Sequence, residues 1–337
     1  MIKLAVLSPV AWRTPPRHYG PWEQVASNIA EGLTAMGLDV TLFATGDSFT
    51  RGKLEFICEN GYEENRETDA KVAECMHISY LMERAGEYDL IHNNFDFLPL
   101  TYSRLAKTPM VTTIHGFSSQ AIIPVYKRYN DISHYVSISN ADRSTSLRYI
   151  ATVYNGIDGK QFTLREDKDD YLLFFGRIHH HKGTFEAIEI ARQSGKRLII
   201  AGIIQDNEYF REKIEPLLDG EQITYIGSTG PEKRDELLGK AYALLHPINF
   251  NEPFGLSVVE AMFCGTPVIA FSRGSMPELI RHEKTGFLVN SVNEAADCVG
   301  QVASVDHSYC RQWAEQNFSM EKMAADYLDV YKKILRI

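Results

Sequence analysis

Short apolar runs, each closed by a polar or glycine-bearing loop and followed by a helical segment, recur along this chain in two successive series. In the first, Lys3 to Ser8 reads as a buried strand, Pro9 to Gly20 as a loop, and Pro21 to about Met36 as a helix stopped by Gly37. Strands are expected over Asp39–Ala44, Lys53–Ile57, Tyr88–His92, Met110–Ile114, Ile132–Ile138 and Ile150–Tyr154. Helices are expected over Thr68–Gly86 and after Ser139, whose hydroxyl suits a cap. In the second, strands at Tyr171–Phe175, Arg197–Ala201, Ile223–Ile226, Ala241–Leu245 and Pro267–Phe271 alternate with helices at Thr184–Ser194, Asn207–Leu218 and Pro231–Gly239. Such alternation predicts the α/β class with parallel sheets, and doing it twice predicts two Rossmann-like domains. They are expected over 1–160 and 170–318, joined by a polar linker, Arg165–Asp170. A tail, 319–337, carries Met323, Tyr327, Val330 and Ile334 at helical spacing and reads as an amphipathic helix. In sheets of this type ligands gather beyond the carboxyl ends of the strands.

Composition narrows the function. With 337 residues, each domain is long enough for its own core. The excess of 44 acidic over 35 basic residues argues against general nucleic-acid binding and broad attraction to anionic lipid. The 5 cysteines are an odd set without C-x-x-C spacing, which points to a reducing compartment rather than a disulfide framework or zinc site. Pro9 closes the first apolar run too early for a spanning helix or signal peptide, so a cytoplasmic protein is expected, with peripheral membrane contact left open.

Two loops of the second series carry the chemistry. Gly176-Arg177-Ile178-His179-His180-His181-Lys182-Gly183 lies between a strand and a helix. Arg177 offers a forked donor and Lys182 a mobile point charge, a pair suited to gripping a diphosphate. Asn249 to Gly265 reads strand, elbow, helix, with Pro253 and Gly255 at the bend. A helix start favours an anion, and the flanking carboxylates of Glu252 and Glu260 accept hydrogen bonds from hydroxyls. Together they suit a ligand that is part phosphate and part polyol. A single Glu there would be an ordinary surface charge; the spacing and the elbow favour function. Asp167-Lys168-Asp169 mimics a D-x-D metal motif but falls in the charged linker and reads as solvated surface. The three consecutive histidines are expected to diverge too far to hold one ion, so no metal is expected.

The second-half motifs resemble those of retaining glycosyltransferases of family 4, the glycosyl transferases group 1. Glu252 to Glu260 matches the family's E-x7-E segment, followed by Gly274, Pro277-Glu278 and Gly286-Phe287-Leu288-Val289. Arg177 and Lys182 match its Gly-Arg-x4-Lys-Gly signature. Thr113-Ile114-His115-Gly116 fits its Thr-x-His-Gly, and Asn155-Gly156-Ile157-Asp158 a segment near the domain junction. Gly20-Pro21-Trp22-Glu23 departs from the usual Gly-Gly-x-Glu, since Pro21 removes one N–H donor; Gly20 keeps the capacity for close backbone approach.

The resemblance implies the GT-B architecture, two facing Rossmann-like domains with an interdomain cleft, the tail helix packing back across the first. It implies a nucleoside-diphosphate-sugar donor on the second domain, an acceptor on the first, and transfer with retention and without a cofactor. Arg177 and Lys182 would neutralise the leaving diphosphate, and Glu252 with the N–H groups of Phe254, Gly255 and Leu256 would hold the sugar. His115 would lie beside that sugar and Glu260 would take the ribose hydroxyls. Gly227 and Ser228 would offer backbone groups to the base, uridine being expected because it is common in that family. Arg13, Arg17, His18, Asn94 and Asp96 are the candidates for shaping a small-molecule, glycan or glycolipid acceptor site. A nucleotide-sugar epimerase, a phosphorylase, or a catalytically silent nucleotide-sugar-binding module remain the alternatives.

Overall fold

The computed structural model describes residues 2–65, 67–117 and 119–337. The chain divides into two compact units, one formed by Met1–Gly156 with Met320–Ile337, the other by Ile157–Ser319. Both are α/β.

Among the described residues, the first unit holds a seven-stranded sheet of order β3-β2-β1-β4-β5-β6-β7. The strands are β1 (Lys3–Leu7), β2 (Asp39–Phe43), β3 (Lys53–Glu55), β4 (Leu90–Asn93), β5 (Met110–Ile114), β6 (His134–Ser137) and β7 (Tyr149–Thr152). All pairs are parallel, Leu4 lying between Val40 and Leu90. β5 is buried at every position, as a strand covered on both faces must be, and this is why it reads as an uninterrupted apolar run. The order turns at β1 and β4, so the loops after these two strands diverge and open a crevice at their carboxyl ends. Helix α1 (Pro21–Ala35) follows β1, with Pro21 in its first turn and Gly20 as its cap. Helices α2 (Ala70–Met82) and α3 (Ile123–Arg128) follow in chain order. The C-terminal helix Met320–Leu335 lies on α1, where a Cβ on Gly32 would come within 2.9 Å of Ala324. Its Tyr331 hydroxyl sits 2.6 Å from His92 Nδ1, and Tyr327 shares Thr113 with the other nitrogen of that ring.

The second unit holds six parallel strands, ordered β10-β9-β8-β11-β12-β13. They are β8 (Tyr171–Phe175), β9 (Arg197–Ala201), β10 (Ile223–Tyr225), β11 (Ala243–His246), β12 (Val268–Phe271) and β13 (Gly286–Val289). Here the order turns between β8 and β11, which pair with Leu173 opposite Leu244. The loops leaving these strands are the two singled out by their motifs. After β8 comes α4 (Thr184–Ser194), and after β11 the elbow helix Leu256–Phe263.

Three local expectations fail. No helix follows Ile138: the segment is a series of turns in which Ser139 Oγ accepts from the Asp142 N–H and Arg143 lies over the Tyr149 ring. Its polar run has no apolar stripe to bury, so a cap alone does not propagate a helix. The helix expected over Asn207–Leu218 is broken into a single α turn, a π turn at Phe210–Ile214 and a 3-10 turn at Glu215–Leu217. Pro216 has no N–H to continue the ladder. The polar stretch Arg165–Asp170 is not uniformly solvated. Asp167 and Asp169 are exposed, but Lys168 Nζ turns inward to the carbonyls of Gly239 and Cys264 and to Thr266 Oγ1. These are helix C-terminal carbonyls, where a cation is favoured. Burial lowers the Lys168 pKa to about 8.

Candidate active site

β8 delivers Gly176 to the carboxyl edge of the sheet, and the Ile178 N–H donates to the Ile203 carbonyl at 2.8 Å, fixing the loop beside the one after β9. There Arg177 Nη1 meets the side-chain oxygen of Gln205. His179 is extended and caps a 3-10 turn, His180–Lys182, which ends at Gly183 with φ 77. A Cβ at Gly183 would stand 1.9 Å from the Pro247 carbonyl oxygen, so only glycine lets the loop touch the elbow strand. The Asn249 N–H donates to the His181 carbonyl at 2.7 Å. Lys182 Nζ then lies 2.5 Å from Glu252 Oε2. Two motifs 70 positions apart are joined by one ion pair.

The elbow is braced from its far side. The Ser275 N–H donates to the Glu252 carbonyl at 2.9 Å, and its hydroxyl to the Phe254 carbonyl. Gly274, at φ 56, packs against the backbone of Glu252, leaving 2.3 Å between its would-be Cβ and that nitrogen. Gly255 caps the elbow helix, whose first N–H groups lack intrahelical acceptors by the geometry of any helix start. The Phe254 side chain is core, with its ring edge-on to Phe318, whereas Leu256 is half-buried.

Burial alone would raise the Glu252 carboxyl, but the nearby His246 ring and the Lys182 charge overcome it and hold the group well below the usual carboxylate range. His246 Nε2 lies 3.6 Å from the same Oε2 that Lys182 holds. Burial keeps its imidazole pKa low, so it meets Glu252 as a neutral ring. Glu252 is therefore an ionised carboxylate with one oxygen committed to Lys182, and His246 stands near that same oxygen without a hydrogen bond to it. Lys182 also lies 4.8 Å from the centre of the Phe250 ring. Lys182, Arg177, Gln205, Asp206 and Phe250 line a polar opening of roughly 540 Å³, large enough for a nucleotide-sized ligand. Glu260, also buried, faces Arg234 of the helix Pro231–Lys240, with Oε1 at 3.2 Å. The Gly227 carbonyl accepts from Gly202, next to the loop that holds Gln205, and Ser228 is exposed.

The three histidines do not diverge. The chain turns sharply at the extended His179, and the rings fold over one another with centroids 4.2 to 4.8 Å apart. Their ligating atoms all lie within 4.8 Å. His179 Nδ1, however, already accepts from the His181 N–H, and burial with the neighbouring rings and Arg177 lowers the pKa of His179.

In the first unit, His115 stands at the end of β5 with Nε2 3.1 Å from Asn94 Oδ1. Trp22 stacks on its ring at 5.7 Å between centroids. Burial holds His115 neutral, with a pKa near 3. Asn94 is fully buried, and its Nδ2 has no partner among the described residues. Asp96 is bonded to the Tyr126 hydroxyl and, chiefly through burial, has its pKa raised to about 6. Of the candidates in the loop after β1, Arg17 is neutralised by Asp47 and Glu64, Arg13 Nε donates to the Pro15 carbonyl, and His18 is exposed. Gly20 packs on Pro16. Sequence reasoning missed Gln205 and Arg234 because each meets its partner through a non-local contact, and His246 because a lone histidine six residues before Glu252 forms no motif. The one local hint was a histidine closing an apolar strand.

Comparison with known proteins bears on both units. Residues 158–319 match the family model described as glycosyl transferases group 1, and residues 22–161 match that of glycosyltransferase family 4. An uncharacterised glycosyltransferase of Methanocaldococcus jannaschii is 23% identical, the match covering 96% of this chain and 97% of that one. Among solved structures, AviGT4, a glycosyltransferase involved in avilamycin A biosynthesis, superposes with TM-score 0.76 and 22% identity over 100% of this chain and 98% of its own. HepE of Anabaena in complex with UDP-glucose gives TM-score 0.76 and 20% identity over 99% and 100% of the two chains. The fold is that of GT-B glycosyltransferases, and the chain belongs to the group 1, family 4 glycosyltransferases.

Proposed function

We propose that this glycosyltransferase moves a sugar from a nucleoside-diphosphate sugar, with UDP as the first candidate, to a hydroxyl acceptor, with retention of configuration and without a metal ion. The observation that carries the donor assignment is the Lys182–Glu252 contact. It puts a cation suited to phosphate and a carboxylate suited to sugar hydroxyls at one point of the sheet edge. That HepE was solved with UDP-glucose supports the choice of uridine.

In this reading Arg177 and Lys182 stabilise the negative charge that grows on the diphosphate as the anomeric C–O bond breaks. Glu252 and the N–H groups of Phe254, Gly255 and Leu256 fix the sugar, while Glu260 accepts from the ribose hydroxyls. The acceptor oxygen bonds to the same face of the anomeric carbon, and its proton passes to the departing diphosphate. Glu252 serves as an anchor rather than a covalent nucleophile: Lys182 already holds one of its oxygens. Asn94, Asp96 and His115 of the first unit are assigned to the acceptor and sugar side. The exposed Asp167 and Asp169 lie in the segment before β8, outside the site loops, and offer no reason to invoke a D-x-D metal.

Melting the protein against a panel of nucleotides and nucleotide sugars tests the donor, since a ligand of the folded state raises the melting point. Release of nucleotide is then measured with and without acceptors, in EDTA. Acceptor-dependent release that survives EDTA is expected. Abolition by EDTA with rescue by Mn²⁺ would refute the metal-independent reading, and acceptor-independent turnover would favour an epimerase.

A further inference from the structure

Arg234 had no motif to announce it, yet it is placed with care. It lies one turn into the helix Pro231–Lys240, immediately after the Gly227–Gly230 loop, and its backbone N–H donates to the Gly230 carbonyl at 2.9 Å. Its guanidinium lies over the Phe162 ring at 5.1 Å and pairs with Glu260 Oε1. The two side chains are 19% and 8% exposed, so this pair is shielded from water and weakly screened. Two polar atoms of this short segment, Arg234 Nε and Thr229 Oγ1, are buried without a hydrogen-bond partner among the described residues. The arginine meets Glu260 on Oε1, at 3.2 Å.

We propose that Arg234 is the positioning residue of the ribose-binding carboxylate, and thereby sets the preference for ribonucleotide over 2′-deoxyribonucleotide donors. The proposal rests on the reading that Glu260 takes the ribose hydroxyls. A planar guanidinium on one oxygen fixes the rotation of the carboxylate and keeps the other oxygen as an acceptor. A pair of vicinal hydroxyls fills that acceptor position; a 2′-deoxyribose leaves it partly unmet in a buried setting, where a missing partner counts most. Because Arg234 anchors to Phe162 and to the helix after the Gly227–Gly230 loop, base-side loop and ribose carboxylate are held as one body.

The test is calorimetric titration of the intact protein with UDP and with 2′-deoxy-UDP, for wild type, Arg234→Met and Arg234→Lys. Methionine keeps apolar cover for Phe162 and removes the fork; lysine keeps the charge and loses planarity. Wild type is expected to favour UDP by about tenfold or more, the worth of one charge-assisted hydrogen bond. In Arg234→Met the ratio falls toward one, through loss of UDP affinity with little change for 2′-deoxy-UDP; Arg234→Lys gives an intermediate ratio. A merely structural role would lower the melting temperature and both affinities together, leaving the ratio intact, and that result overturns the proposal. If wild type binds no nucleoside diphosphate from a panel of bases, the donor reading itself fails. If it binds UDP and the variants keep its discrimination, only the role of Arg234 fails.

Discussion

Lys182 illustrates how much a single side chain settles. Its ammonium touches Glu252, borders the opening lined by Arg177, and lies against Phe250. The charges around Glu252 are unequal in kind: Lys182 is a nearby full charge, whereas His246 is held neutral by burial. A division of labour follows between the phosphate and ribose ends. Arg177→Ala should lower kcat far more than Glu260→Ala, which acts mainly by raising KM, because only the former meets charge that develops in the transition state. Steady-state kinetics on both variants decide it, and equal losses in kcat at unchanged KM would refute it. Arg177, Lys182 and Glu252, which the structure brings to one sheet edge, stand out in the sequence because spacing within a short loop marks them. Arg234 and Gln205 do not, since their partners come from other elements, and no local pattern encodes a contact made by folding; His246 meets Glu252 within the elbow, but a lone histidine ending an apolar strand carries no motif.

The elements that build the site are short and tightly abutted, so glycines at the contacts carry much of the specification. Gly274 has both a left-handed φ and no room for a Cβ against the Glu252 backbone. Gly274→Ala is expected to push the elbow away from Lys182, lowering kcat at least tenfold while costing about 1–3 kcal/mol of stability. Activity and melting measured on one preparation check this; an active, undisturbed variant would show that the elbow tolerates displacement. At this scale the buried strands were readable, because strands covered on both faces are apolar throughout, as in β5 and β12. The segment after Ile138 was misread because a capping serine signals where a helix can begin, not whether apolar surface exists to hold it. The π and 3-10 turns before Leu218 were hidden for a related reason: Pro216 was passed over within an otherwise helical run.

For the molecule as a whole, the first unit carries a pH dependence of predictable sign. Burial holds His77, His92 and His115 neutral down to about pH 4, 3 and 3, whereas an unfolded chain protonates them below about pH 6.5. These groups take stability away as pH falls. Glu23 and Asp96 act oppositely, since burial raises them to about 7 and 6 and the folded state takes up their protons first. The histidines outnumber these carboxyls, and His134, with His246 and His307 of the second unit, is also lowered by burial and acts with them, so the unfolded state binds more protons and stability falls as the pH drops from roughly 6 to 4.5. Melting temperatures recorded between pH 7 and 5 should fall; a flat or rising profile would contradict this account of the buried groups.

The α/β class and its doubling follow from the order of apolar runs, and the family from the two motifs in the second unit, whereas the strand orders, and so the turning points, are seen only in the structure. Chemical identity of the acceptor was not legible, because the arginines of the loop after β1 are engaged locally, Arg17 with Asp47 and Glu64 and Arg13 with a backbone carbonyl. The most direct test of the donor site is the affinity for UDP relative to UMP in wild type, Arg177→Ala and Lys182→Ala. The account predicts a preference for the diphosphate of about tenfold or more in wild type, largely erased in both variants. An undiminished preference in the variants would contradict it.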